Sequence, residues 1–421
     1  MTLAEQSASL LSKLNLSPEE RLLLLCARLK LNDSQRDELV ELVQGAPRWD
    51  QVLYKAHWHQ LSPLMHHHLR DIDAAPGVPD WIMEQLEAAY KLNAIRNLHF
   101  HGELQTVLNA LEAGNVPVIL LKGAALSGSV YKDMGLRPMA DLDLLVREEQ
   151  GDSAQNILQG LGFTPIGSTD QNHQHLPGMT RKGSLVLIEV HRHIERRDSG
   201  LHFDISGFWS RTEQANIAKK DVSVLSPEDL LIHLTLNFYR DRRFRSAAAL
   251  RQLCDVAEVL KFYRDRMRWQ LFLDNVNEYQ LNGPVGCVLY LARELLDAPV
   301  DPRVAQELWP ENFDQTQIER FLRRRVIDTR EWVARSLVPA EQEYSASMML
   351  RSAFRRLIPS RRYLTQSYNS ASQRVPVVFL YLMRLGQGLR ILARVVRRPG
   401  AMLEDLAVDR WHHSLYRNRR G

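Results

Sequence analysis

Cysteine is scarce. The 421 residues hold three, Cys26, Cys254 and Cys287, far apart and with no C-x-x-C pair. That spacing excludes a disulfide framework and a zinc ribbon, leaving buried thiols in a reducing compartment as the expectation. Long apolar runs are missing too: none approaches the ~20 residues needed to span a bilayer. The start, M-T-L-A-E-Q-S-A-S-L-L, has neither the basic opening nor the continuous apolar stretch of a signal peptide, so a cytoplasmic protein is expected. Internal repeats and low-complexity linkers are absent. Lysine disappears from the C-terminal end: residues 351–421 carry fifteen Arg, no Lys and three acids, a net +12. The whole chain is only +4, so residues 1–350 carry a net −8.

What is present fits an ordinary globular chain, 45% hydrophobic and 25% charged, long enough for two or three domains. Residues 1–115 form a helical N-terminal region. Ser17-Pro18-Glu19-Glu20 supplies a cap, a proline at the first helical position and a glutamate three residues after the cap. A long helix from Asp80 through Glu112 stops at Gly114-Asn115. The texture then changes. V-P-V-I-L-L (116–121), D-L-D-L-L-V (141–146) and L-V-L-I-E-V-H-R-H (185–193) are β-branched, apolar runs, and Ser153 to Leu161 suits a helix closed by Gly162. Residues 116–225 are therefore a small α/β core. Ser226-Pro227 with Asp229 opens a C-terminal helical region, 226–345, and residues 346–421 form an Arg-rich helical tail. The fold class expected is α+β and mostly helical, with a small mixed sheet flanked by helical regions.

The informative residues are acids inside apolar strands. In a strand, Asp141 and Asp143 share a face while Leu142 and Leu144 take the other, which sets the carboxylates ~7 Å apart. Two like charges on one face repel unless a cation lies between them, and Mg²⁺ with its preference for carboxylate, phosphate and water oxygens suits that position. Glu189 is the third acid: Val186, Ile188 and Val190 form an apolar face, and Leu187, Glu189 and His191 form the other. Just upstream, L-L-K-G-A-A-L follows the first strand directly. Gly123 allows close approach of a ligand to backbone, and a helix beginning at Ala124 would favour a phosphate at its N-terminus. Lys122 would add a point charge, and Arg137 a bidentate clamp.

L-L-K-G-A-A-L, R-P-M-A-D-L-D-L-L-V and I-E-V-H together resemble the uncharacterised bacterial nucleotidyltransferase family within the DNA polymerase beta superfamily. Looser similarity continues through S-P-E-D-L-L-I-H-L, L-R-Q-L-C-D-V and L-I-P-S-R-R-Y-L. The resemblance implies two Mg²⁺ ions held by Asp141, Asp143 and Glu189, and an NTP contacted by Lys122, Gly123, Arg137 and His191. Glu189 would help deprotonate an acceptor hydroxyl as pyrophosphate leaves. The superfamily's usual Gly-Ser or Gly-Gly turn is Lys-Gly here, and the third acid is Glu where Asp is more common, so the base role of Glu189 stays open.

The function expected is transfer of an NMP group from an NTP to a small-molecule, protein or RNA acceptor. One alternative is a toxin-like transferase acting on tRNA, since abortive-infection nucleotidyltransferases carry a similar K-G-G-T turn. Another is a non-catalytic scaffold that binds a partner or an anionic membrane surface through its Arg-rich tail. Val375 to Val396 suits a helix docked on the C-terminal bundle or an amphipathic helix at a membrane surface. His57, His59, His66, His67 and His68 lack the i, i+4 spacing with an acid that makes a metal motif. His173 and His175 are candidates for coordination, but their Gln- and Asn-rich loop favours the expectation that they face water, and Arg251 with Asp255 is expected to form an intrahelical pair.

Overall fold

The expected helix start at Ser17 forms a reciprocal cap. Ser17 Oγ accepts from the Glu20 N–H at 3.3 Å, and Glu20 Oε2 accepts from the Ser17 N–H at 3.1 Å, opening α1 (Pro18–Cys26). Helices α2 (Asp33–Gln44), α3 (Trp49–Trp58) and α4 (Ser62–Arg70) follow. The 34-residue α5 (Asp80–Ala113) runs about 51 Å. It ends where expected, with the Gly114 N–H donating to Ala110 O. The computed structural model describes residues 14–72, 77–167, 171–244, 248–309 and 315–327.

Two compact units are distinguished: residues 1–239 with 247–313, and residues 240–246 with 314–421. In the second, the described residues include a helix, Gln315–Phe321, that runs into a π-helical turn, Leu322–Ile327. The Arg-rich tail and the expectations attached to it lie outside the described residues.

The first unit carries a seven-stranded mixed sheet. Its elements are β1 (Ile119–Leu120), α6 (Lys122–Ser129), β2 (Leu142–Leu145), α7 (Gly151–Gly160), β3 (Thr164–Pro165), β4 (Met179–Thr180) and β5 (Ile188–His191). After α8 (Ile205–Ser210) come β6 (Glu213–Ile217) and β7 (Lys220–Val224). The strand order is β3-β4-β5-β2-β1-β7-β6. β1 runs antiparallel to β2 and parallel to β7, while β2 and β5 are parallel. One sheet face packs Leu120, Leu142, Leu144, Val146, Ile188 and Val190 against Phe100, Leu104 and Val107 of α5. The chain then continues through α9 (Pro227–Phe244), α10 (Ala249–Phe262), α11 (Trp269–Glu278), α12 (Asn282–Leu296) and α13 (Pro302–Leu308).

The ladders are shorter than the apolar runs imply. Asp141 precedes β2 by one residue, and 116–121 contributes only Ile119 and Leu120 to the sheet. The β6–β7 hairpin escapes a sequence reading for a physical reason. Its two-residue turn, Ala218-Lys219, holds φ of 54° and 62° without the Gly or Asn that normally marks such a turn. Cys26, Cys254 and Cys287 are all free and buried, as expected. Among the described residues no helix is long and apolar enough to cross a membrane.

A buried polar knot ties the segment before β2 to the C-terminal helices. Arg137 Nε and Nη2 each donate to Asp255 of α10 at 2.8 Å, Tyr131 Oη donates to Asp255 Oδ1 at 2.8 Å, and Arg251 Nη1 donates to Asp255 Oδ2 at 3.0 Å. The expected Arg251–Asp255 pair exists, but Arg137 and Tyr131 share its carboxylate. From the other side, Asn97 of α5 donates to the Met134 and Arg137 carbonyls at 2.7 and 2.8 Å, and Asn93 donates to Gly135 O at 2.7 Å. The run leading into the acidic strand is thus gripped by two helices distant in sequence.

Two outcomes follow from these contacts. Arg137 and Asp255 are 5% and 2% exposed, so Asp255→Ala strands a buried guanidinium. It should lower unfolding free energy by about 3–5 kcal/mol; urea unfolding at pH 7 with a loss below ~1 kcal/mol would contradict this reading of the knot. His68, 7% exposed, donates Nε2–H to Arg28 O at 2.7 Å. Its burial pulls the imidazole pKa down to about 4, with neighbouring His66 and His67 shifted the same way. Because the folded value lies below the unfolded one, its contribution is complete above pH ~6.5 and is lost as pH falls toward 4, at most about 3 kcal/mol. His68→Gln keeps a donor but does not titrate, so its stability should fall less steeply over that window; equal slopes would refute the assignment.

Candidate active site

The site grows from two adjacent parallel strands. β2 and β5 pair with Leu142 opposite Ile188, Asp143 opposite Glu189 and Leu144 opposite Val190. Strands in a sheet stand about 4.8 Å apart, so Asp143 and Glu189 leave the same face side by side. Alternation sends Leu142, Leu144, Ile188 and Val190 into the core on the other face. His191, two residues beyond Glu189, returns to the acidic face. One oxygen each of Asp143 and Glu189 and one nitrogen of His191 lie within 4.8 Å of one another.

Asp143 is 1% exposed. Its Oδ1 accepts from Lys122 Nζ at 3.0 Å and from His191 Nε2 at 2.8 Å, whereas Oδ2 is buried without a hydrogen-bond partner. Burial alone would raise its pKa, but Lys122 and His191 outweigh that and hold the carboxyl well below the usual range. The same contact acts reciprocally on His191. Burial works against its charge, yet Asp143 and Glu189 overcome it and push the imidazole pKa up. For Glu189, burial again opposes ionisation, and the His191 contact leaves the carboxyl pKa lowered.

Asp141, half-buried ahead of β2, stands in a different balance. Burial, followed by the charge of Asp143, pushes its carboxyl up to about 6 against the pull of Lys122. Asp141 is not one of the three residues whose donor atoms crowd within 4.8 Å, but it feels both Asp143 and Glu189. Three acids therefore face Lys122 and His191. The donors fit a divalent cation: hard carboxylate oxygens, one of them a buried orphan, and in Asp141 a carboxyl whose raised pKa a cation would lower.

The Lys-Gly turn lies where the sequence places it, directly after β1, although the helix begins at Lys122 and not at Ala124. Lys122 has a φ of 40°, a left-handed conformation costing a lysine of order 1–3 kcal/mol. Its ammonium reaches across to β2. Gly123 also meets a packing requirement: a Cβ there would sit 2.9 Å from Arg137 Nη1 and 3.3 Å from Met139 Cγ. The guanidinium expected to clamp phosphate has Nε and Nη2 on Asp255, with Nη1 backed against the turn.

Of the two loop histidines weighed between coordination and solvent, His175 lies beside the acids. His175 does not simply face water. Its Nε2 lies 3.5 Å from Glu189 Oε2, and its ring centroid is 5.1 Å from that of His191. Burial lowers its pKa. No local signal marks it, because a bridge opposite His191 puts it there. The N-terminal histidines, by contrast, do not join the acids: His68 is spent on Arg28 O.

No curated protein matches the chain. Among solved structures, an antigenic nucleotidyltransferase-like protein from Paracoccidioides brasiliensis matches with 15% identity and a TM-score of 0.28, covering 52% of this chain and 96% of that one. A TM-score that low carries no argument. The profile of a family described as uncharacterised nucleotidyltransferases matches residues 45–297, more than half of the chain and all of the sheet. The chain belongs to that nucleotidyltransferase family.

Proposed function

We propose that the protein transfers a nucleotidyl group from an NTP to an acceptor hydroxyl in a reaction dependent on Mg²⁺. The observation that carries this reading is the in-register pair Asp143–Glu189, with the unpartnered Asp143 Oδ2 beside it, in a chain of nucleotidyltransferase descent. Asp141, Asp143 and Glu189 hold the metal. When bound, divalent ions neutralise the triphosphate and make the acceptor hydroxyl more acidic.

The protein's own groups do the remaining work. The acceptor oxygen forms a bond to the α-phosphorus as the bond to the bridging oxygen breaks, and pyrophosphate departs with that electron pair. Glu189, only 20% exposed and beside His191, takes the hydroxyl proton. Lys122, paired with Asp143 across 3.0 Å, would supply its ammonium to the triphosphate. Arg137 acts as a positioning residue: pinned by Asp255, it holds the Lys122–Gly123 turn in place.

Purified protein incubated with each α-³²P NTP and Mg²⁺, against total RNA and separately against cell extract, should yield a labelled product. Asp143→Asn should cut labelling by about 100-fold or more, the scale of losing one preorganised electrostatic group at a reacting centre, with unfolding still cooperative. Absence of label with all four NTPs, together with no Mg²⁺-dependent NTP binding, would defeat the proposal.

A further inference from the structure

The Asp255 knot satisfies its carboxylate but not its charges. Arg137 and Arg251 share the one carboxylate, and the other donor, the Tyr131 hydroxyl, is neutral. Arginine is not deprotonated in proteins, so two guanidiniums meet one negative group and a net +1 is left in a nearly dry setting. Burial, followed by the charge of Arg137, pulls the Arg251 pKa down, as two cations crowding each other should. A fastener needs no second cation, since Arg137 by itself closes a two-bond fork on Asp255 at 2.8 Å.

Arg251 is the member with capacity left. Its Nη1 donates to Asp255 Oδ2 at 3.0 Å, while its Nε is buried with no hydrogen-bond partner. Its side chain is 13% exposed, against 5% for Arg137 and 2% for Asp255, so the knot reaches solvent through Arg251. Both arginines also stand near enough to Asp141 to feel its charge. Asp141 is no substitute counter-ion: among the described residues it forms no ion pair with either, and both guanidiniums are turned to Asp255. A buried positive charge without its own counter-ion calls for an anion.

We propose that Arg251 binds the β- and γ-phosphates of the nucleotide, an assignment that rests on the reading of the site as a nucleotidyltransferase centre. Asp143, two residues after Asp141, is the acid in register with Glu189, the group that receives the acceptor proton. Pyrophosphate leaves from the far side of the attacked phosphorus, which is the side of Asp141 and the two arginines. Arg137 is held in its fork and Arg251 is not, so Arg251 is the one that meets the departing oxygens. Its planar guanidinium suits them, because arginine donors match phosphate geometry.

The test titrates the full chain calorimetrically with Mg²⁺ alone and then, with Mg²⁺ present, with inorganic pyrophosphate, a probe that carries no base. Arg251→Met keeps an unbranched stem and removes both the charge and the buried Nε. It should bind pyrophosphate about tenfold or more weaker than wild type, the scale of one hydrogen bond to a charged group. Its Mg²⁺ affinity should stay within about threefold of wild type, because Arg251 does not touch the metal-holding acids. Its urea midpoint should be no lower than that of wild type, since a like-charge contact is gone. Pyrophosphate that binds Arg251→Met as tightly as wild type, or does not bind wild type at all, overturns the proposal. Parallel losses of Mg²⁺ and pyrophosphate affinity, or an Arg251→Met chain that does not fold, make Arg251 a structural member of the knot and overturn it as well. In each of these cases Mg²⁺-dependent NTP binding by wild type leaves the nucleotidyltransferase reading standing, whereas wild type that binds neither Mg²⁺ nor any of the four NTPs removes both.

Discussion

A carboxylate sunk in a protein interior must be compensated or it will not stay ionised, and the site around Asp143 is organised by that requirement. Lys122 and His191 meet one of its oxygens, and the other is left with no protein partner. The compensation is sufficient to keep the group charged and insufficient to saturate it. Neighbouring Asp141 has no comparable partner and rises toward neutrality. An arrangement of this kind has an unmet demand for positive charge, which distinguishes a binding centre from a structural ion pair.

The Asp255 knot shows the contrasting case. There a single carboxylate takes donors from Tyr131, Arg137 and Arg251, and both of its oxygens are satisfied. Saturation makes it a fastener. Because Arg137 abuts Gly123, which precedes the remainder of α6, the fastener also sets the turn that carries Lys122. Asn93 and Asn97 complete the grip from α5. A strained lysine backbone and a buried acid are held within reach of each other by contacts that span more than a hundred residues of chain.

Much of the core was legible from residue pattern. Alternation in L-V-L-I-E-V-H assigns Glu189 and His191 to one face, and the structure keeps them there with Asp143. Caps at Ser17 and Gly114 are local chemistry and appear as read. The exceptions share a cause. His175 reaches Glu189 through an antiparallel bridge, Arg137 finds Asp255 across 118 positions, and Ala218-Lys219 makes its turn without turn-forming residues. Each depends on which distant segments meet, and residue type does not report that.

Local preference and periodicity alone determined that this protein has helices bracketing a small sheet, and that acids stand where only apolar side chains would otherwise belong. Backbone propensities and the two-residue repeat of a strand act over a few positions, so they can be read without knowing the fold. Tertiary structure decided the partners: that Lys122 sits on Asp143, that Arg137 is bound to Asp255, and that a second histidine faces the third acid. The energy of a buried charge depends on what surrounds it in space, and only the folded chain supplies those surroundings.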